Sequence, residues 1–399
     1  MVKIEKNMRE ILDDIFSTVV AIRRDFHRHP ELGLEEFRTA DKIEEYLTEW
    51  GIEVEQRINK TSVIGLIKGT CHNSVNIGLR ADIDALPILE ENNCDYKSVI
   101  PGKMHACGHD AHIAIQLGAA YILNKISYIL PGSVKLFFQQ AEETVGGAKK
   151  IIEAQGLENP RIDHVLGMHV CPKLSVGTFG VRYGTAYATS DTIIIDVHGK
   201  ASHAAAPQNG VDAVVVASHV IIALQNLISR NISALDSAVL SFGMINGGVA
   251  HNVVADHVKI KGTLRTLDQE VRKYLKTRIF EVAKHVAKAY DADITLAAKP
   301  GYDALINDKT TTDIVKDVAI KVLGENNVKI LEHPSLGVED FAYFAKARPS
   351  TYNRLGASNT EKEVNLHDSK FDIDEKAMYY GILIQVMSVL SLMGVGTDD

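Results

Sequence analysis

The sequence predicts an α/β protein in two parts: a discontinuous outer domain, 1–185 and 300–399, and an inserted ferredoxin-like α+β domain, 186–299. Three observations predict it. In the first part, short β-branched runs alternate with helical-period segments of about 10–20 residues, the pattern of helices layered on a sheet. From Ala186 the order becomes β-α-β-β-α-β, a split βαβ unit complete in itself. After residue 300 helix and strand alternate again, so the outer domain resumes where the insert ends.

The elements follow in order. Ile11, Leu12, Ile15, Val19, Ile22 and Phe26 recur at helical spacing over 8–29, and Pro30 stops that helix, because an interior proline loses a hydrogen bond and clashes with the preceding turn. A second helix fits 39–50 and is closed by Gly51. Ser62–Ile67 and 75–80 read as strands, 111–129 as a helix and 134–138 as a strand. The chemistry of such a layered sheet belongs on loops beyond its strand ends. In the insert, 192–197, 238–245, 257–264 and 293–298 read as strands, with helices over 211–228 and 269–290. Residues 377–397 carry no charge over 21 positions, long enough to cross a bilayer. Gly381, Gln385 and Ser388 nevertheless give that segment a more polar stripe, and no Lys or Arg follows, so it reads as a largely buried helix.

Composition excludes several classes. Lys plus Arg total 43 against 51 Asp plus Glu, a net charge of −8 that opposes binding to nucleic-acid backbones or membrane surfaces. The 46% apolar share, with only 10 Pro, fits neither a disordered nor a fibrous chain. The N-terminus alternates charged with apolar residues and has no signal-peptide pattern, so a cytoplasmic, reducing setting is expected. There Cys71, Cys94, Cys107 and Cys171 read as free thiols or metal ligands rather than a disulfide framework.

Two clusters carry chemistry. In Met104–His112, Cys107 and His109 lie two apart, so an extended loop projects a thiol and an imidazole the same way, a pair suited to a zinc-like ion. The blander reading is a helix start with Asp110 as N-cap and the histidines on the surface. The second cluster follows an apolar strand: Ala141-Glu142-Glu143, then Gly146 and Gly147. Adjacent glutamates usually mark a solvated turn, yet a metal hydrolase needs one carboxylate as ligand and another left free to take a proton from an activated water. His169 and His367 also fall on strand-end or loop positions, and with Cys107, His109 and Glu143 they make five donors, enough for two close ions.

These residues sit in longer motifs. HACGHD at 105–110, AEE at 141–143, MHV at 168–170 and LH at 366–367 resemble the M20 metallopeptidase family, in its aminoacylase and hippurate hydrolase branch. HPELG at 29–33, LRADIDALP at 79–87, GKASHAAAP at 199–207, GGVAHNVVAD at 247–256, GTLRT at 262–266 and GVEDF at 337–341 extend the resemblance along the chain. It implies a mixed sheet of the zinc-aminopeptidase kind, a lid domain used for homodimerisation, and two divalent ions per subunit: Zn, Mn, Co or Ni. It further implies Cys107, His109, Glu143, His169 and His367 as ligands and Glu142 as base. His203 matches a position that stabilises an oxyanion, and Asn252 and Arg265 match substrate contacts, Arg265 for a free carboxylate. Gln140 stands where relatives commonly have Pro, and Ser202 where they often have Gly.

The implied activity is hydrolysis of N-acyl amino acids by a metal-activated water. The rivals are a dipeptidase or carboxypeptidase with the same centre, and a metal-dependent binding protein without turnover. His27 and His29 read as capping or solvent-facing, His164 and His198 as unmatched, Cys171 as a buried thiol, and Asp82 and Asp84 as carboxylates that orient ligands.

Overall fold

The computed structural model describes residues 2–71, 74–358 and 364–396. In chain order its main elements are α1 (Val2–Arg28), α2 (Phe37–Glu49), β1 (Glu53–Ile58), β2 (Ser62–Ile67), β3 (Ile77–Asp82), α3 (His109–Lys125), β4 (Val134–Gln139), α4 (Ala148–Glu153), β5 (His164–Ser175) and β6 (Phe179–Val181). Then come β7 (Thr189–His198), α5 (Ala213–Arg230), β8 (Ala238–Gly247), β9 (His257–Thr266), α6 (Gln269–Ala289) and β10 (Asp293–Pro300). The last are α7 (Lys309–Leu323), β11 (Val328–Ile330), α8 (Ala342–Ala347), β12 (Ser350–Ser358) and α9 (Lys376–Leu392).

The chain divides into two compact units: Met1–Gly184, Ile306–His333 and Asp340–Asp399 form the larger, Thr185–Leu305 and Pro334–Glu339 the smaller. This corrects two details of the sequence reading. Residues 300–305 stay with the smaller unit, where Gly301 N donates to Ser190 O, and so do 334–339, where Ala188 N donates to the carbonyls of Ser335 and Gly337.

The larger unit is built on a mixed eight-stranded sheet in the order β1-β2-β4-β3-β5-β12-β6-β11. Its centre, β4, β3, β5 and β12, is parallel, and those strands are buried on both faces, as sheets covered by helices on each side require. β1 was not foreseen from the sequence: EVEQRI is an edge strand with one buried residue, too polar to stand out. β3 runs to Asp82 rather than ending at Arg80, because the ladder continues opposite Gln139. α3 is buried along nearly its whole length between α1 and α9. Gly118 on α3 permits that approach, since a Cβ there would lie 2.6 Å from Ile382 Cδ1 on α9.

The charge-free C-terminal segment is a buried core helix from Ala377 to Leu392, with Thr397 outside the described residues. Among the described residues the helix long and apolar enough to cross a membrane is instead α5, at mean hydropathy 1.5. α5 belongs to the smaller unit, where it and α6 cover one face of a four-stranded antiparallel sheet ordered β8-β9-β7-β10. Ile193, Ile195, Val197, Leu240, Val258, Ile260 and Leu264 point inward from alternating positions to meet Val216, Val220, Leu224, Leu275 and Ile279. Asp212 and Asp268 cap the two helices, each accepting two backbone N–H groups.

Candidate metal centre

Among the parallel strands of the larger unit, β3 and β4 end side by side, and the reactive side chains gather at that end of the sheet. Asp82 closes β3, and Asp84 follows it. Ala141, Glu142 and Glu143 follow β4, and His169 lies on β5 near the register position of Arg80. Cys107 and Gly108 lead into α3, whose first residue is His109. Gly108 at φ 87° allows that tight entry, with Val170 packed where a Cβ would stand. His367, on the loop between β12 and α9, is tied in through its N–H to Ala106 O.

These groups converge. Cys107, His109 and His169 can each bring one donor atom within 4.8 Å of the others, as can Cys107, Glu143 and His367, and His109, Glu142 and Glu143. Cys107 Sγ lies 3.4 Å from His169 Nε2, and Glu143 Oε1 lies 3.0 Å from His367 Nε2 and 4.0 Å from His109 Nε2. Each buried imidazole turns Nε2 into the cluster because Nδ1 is engaged behind it. His109 Nδ1 donates to Asp84 O at 2.8 Å and His169 Nδ1 to Val170 O at 2.7 Å. His109 Nε2 is buried and makes no hydrogen bond among the described residues. A thiol, three imidazoles and two carboxylates form a donor set that fits borderline divalent ions.

The electrostatics agree with that fit. Burial pushes the Cys107 thiol well above its ordinary value, and Glu143, Glu142 and Asp82 add to the push. Burial opposes protonation of His109, but Asp82, Asp84 and Glu143 outweigh it and raise the ring to about 10. Burial, then His112, hold His169 well below the usual histidine range. Burial opposes ionisation of Glu143, yet His367 and His109 keep its carboxyl below the ordinary value. Excess negative charge buried beside a thiol calls for added positive charge before the thiolate forms.

The scaffold behind the cluster departs from the sequence reading in several places. Asp110 is not the N-cap of α3: its buried carboxylate accepts from Arg23 Nε and His27 Nδ1, both at 2.8 Å. His27 is therefore neither a cap nor solvent-facing, and its Nε2 meets Glu90 at 3.2 Å. Burial works against its charge, but Asp110 and Glu90 raise its pKa to about 9. His29 stays local, against Asp25 O. His164 and His198 do find partners, the hydroxyls of Thr311 and Thr295. His112 was missed. One turn after His109, it meets Asp82 Oδ1 at 2.5 Å and accepts from Val170 N at 2.9 Å, and the i, i+3 spacing was the available signal. Asp82 and Asp84 do contact the histidine rings as expected, and Asp84 Oδ2 also accepts from Glu143 N at 3.0 Å.

His203, Asn252 and Arg265 belong to the smaller unit. His203 and Asn252 are neighbours, joined by Ala204 N donating to Asn252 O at 3.1 Å and by the pairing of His203 with Val253. Ala205 N donates to Nδ1 of the exposed His203 at 3.0 Å, so Nε2 is the ring nitrogen left to donate. Arg265, on β9, is half-buried, and its Nη1 has no hydrogen-bond partner among the described residues.

Comparison with known proteins agrees with this arrangement. The model for peptidase family M20/M25/M40 matches residues 78–389. N-acetyl-L-cysteine deacetylase of Bacillus subtilis is 40% identical over 92% of this chain and 86% of its own. Hippurate hydrolase of Campylobacter jejuni is 37% identical over 94% and 97%. A dinuclear metal-binding peptidase of the M20 family from Bacillus subtilis superposes with a TM-score of 0.84 at 32% identity, over 96% of this chain and all of that one.

Proposed function

As the chain belongs to peptidase family M20/M25/M40, we propose that it is a metal-dependent amidohydrolase that cleaves N-acyl amino acids to a carboxylic acid and a free amino acid. The observation that carries this reading is the convergence of Cys107, His109, His169, Glu143 and His367, with Glu142 beside His109 and Glu143. Those five side chains would hold two divalent ions, of Zn, Mn, Co or Ni. Such ions, when bound, polarise a carbonyl oxygen and acidify a coordinated water.

The chain's own residues divide the remaining work. Glu142 takes the proton of the attacking water and returns it to the departing amine, so the C–N bond breaks with a neutral leaving group. Asp84 and Val170 orient the imidazoles from behind. His203 Nε2 donates to the developing oxyanion, and Arg265 receives the substrate's α-carboxylate in its planar fork. Asn252, beside His203, contacts the acylamino group.

The test is a panel of N-acetyl and N-benzoyl amino acids, their carboxyl methyl esters, and dipeptides, with Mn, Co or Zn supplied. N-acyl amino acids are expected to be cleaved fastest, and either esterification or Arg265→Ala to raise KM about 10- to 100-fold by removing one charge-assisted pair. Faster cleavage of dipeptides would make the protein a peptidase. Inert, metal-loaded protein would make it a binder.

We also propose a homodimer through the smaller unit. On α5, Val214, Val215 and Ile222 are 45%, 45% and 65% exposed, and the neighbouring edge strand β8 exposes Met244 and Ile245. An apolar helix face beside an open strand edge suits a second copy. Sedimentation should find a dimer that Ile222→Glu converts to monomer; a wild-type monomer at micromolar concentration overturns the proposal.

A further inference from the structure

We infer that Glu36 is a positioning residue that holds the turn carrying Glu142 in its working conformation. The inference rests on the reading of Glu142 as the proton-transfer group. Ala141, immediately before it, has φ 56°, a left-handed backbone that a residue with a Cβ adopts only when held there. Three contacts hold it. Ala141 N donates to Oε1 of the fully buried Glu36 at 2.8 Å, Ala141 O accepts from Gly146 N at 2.9 Å, and Gly33 packs against the same turn. A Cβ on Gly33 would lie 2.6 Å from Thr144 Oγ1 and 3.1 Å from Ala141 Cα.

The use of Glu36 is out of keeping with its place in the chain. It stands at the N-cap position of α2, where a carboxylate ordinarily accepts the free N–H groups of its own helix, but it makes no such bond. Glu31 does that work instead, accepting Arg38 N at 3.1 Å and Thr39 N at 2.7 Å. Glu36 is thereby released to reach 105 positions along the chain, to the backbone N–H of Ala141. Glu143, the next residue but one, is pinned separately by Asp84 through its own N–H. The two adjacent glutamates therefore have different anchors: losing the Glu36 contact should disturb Glu142 and leave Glu143 in place.

The experiment compares Glu36→Ala, Glu36→Gln and the double variant Glu36→Ala/Ala141→Gly with wild type in kcat, KM, bound metal and hydrogen exchange of the 139–147 segment. Glu36→Ala is expected to lower kcat about 10- to 100-fold, as a misplaced catalytic group does, with KM within about twofold. Its metal content should match wild type, and the Ala141 amide should exchange at least about tenfold faster. Glu36→Gln keeps the acceptor oxygen and should behave as wild type in both readouts. Glycine tolerates the left-handed backbone, so the double variant should recover part of the lost kcat. The inference is overturned by wild-type exchange and kcat in Glu36→Ala, by loss of metal together with turnover, or by equal losses in the Ala and Gln variants. If Glu36→Ala does not fold, a tenfold loss in Glu36→Gln overturns it and wild-type behaviour there upholds it. Wild-type protein inert on N-acyl amino acids would end the functional proposal, while exchange at Ala141 would still decide the role of Glu36.

Discussion

Glu142→Gln is expected to lower kcat about 100- to 10,000-fold, the range over which a positioned general base contributes. The variant should fold and bind metal as wild type, because the five proposed ligands do not include Glu142. The amide is nearly the same size as the carboxylate and can still hydrogen-bond, but it cannot accept the proton of the attacking water or hand one to the departing amine. Measuring kcat alongside bound metal separates this role from a ligand role. Full turnover in a metal-loaded Glu142→Gln protein would remove Glu142 as the base, and loss of metal would make it a ligand. Its neighbour Glu143 serves as the control, since its carboxylate lies 3.0 Å from His367 and its replacement should strip metal first.

Asp110→Ala should give the largest loss of stability. The side chains of Asp110 and Arg23 are fully buried 2.8 Å apart, and His27 meets the same carboxylate oxygen. Removing the carboxylate leaves a guanidinium and an imidazolium facing each other without their shared counter-ion, which costs about 3–5 kcal/mol for a buried pair of this kind. Arg23 keeps Asp372 and Glu375, so the helix stays attached while the start of α3 loosens. Urea unfolding should show the loss.

The same cluster sets a pH dependence. His27 has a folded pKa of about 9 against an ordinary 6.5, so its contribution is fully present below about pH 6.5 and disappears as pH rises through about 9. Asp110 works in the opposite sense. Burial opposes its ionisation, but Arg23 and His27 hold its carboxyl far below the usual range, so its contribution is present above about pH 4 and is lost only in strong acid. Wild-type stability should therefore fall between about pH 6.5 and 9, and Asp110→Ala should flatten that slope. An unchanged slope would mean that His27 does not carry the charge.

The features legible in the sequence were those with a period or a local pattern. Alternating apolar positions on β7 and β9 and the helical stripe of α1 declare which face is buried, because a chain in water must hide that face. The HACGHD and AEE motifs kept the thiol, imidazole and paired carboxylates together in short stretches, so the site's chemistry could be read before its shape. Edge strand β1 was not legible, since half-exposed polar positions leave no stripe. Nor was the return of 334–339 to the smaller unit, because backbone bonds to Ala188 carry no side-chain signature.

His27 and Glu36 mark the same boundary. By local rules one is a helix-end histidine and the other an N-cap carboxylate, and both rules fail because the decisive partners, Asp110 and Ala141, lie 83 and 105 positions away. The sequence by itself determined the two-part α/β plan and the residue types of the centre, since periodicity and donor chemistry are properties of neighbouring residues. Only the tertiary structure decided which buried charges pair and which side chain meets the turn before Glu142, because burial removes water as a competing partner and leaves distant groups to satisfy one another.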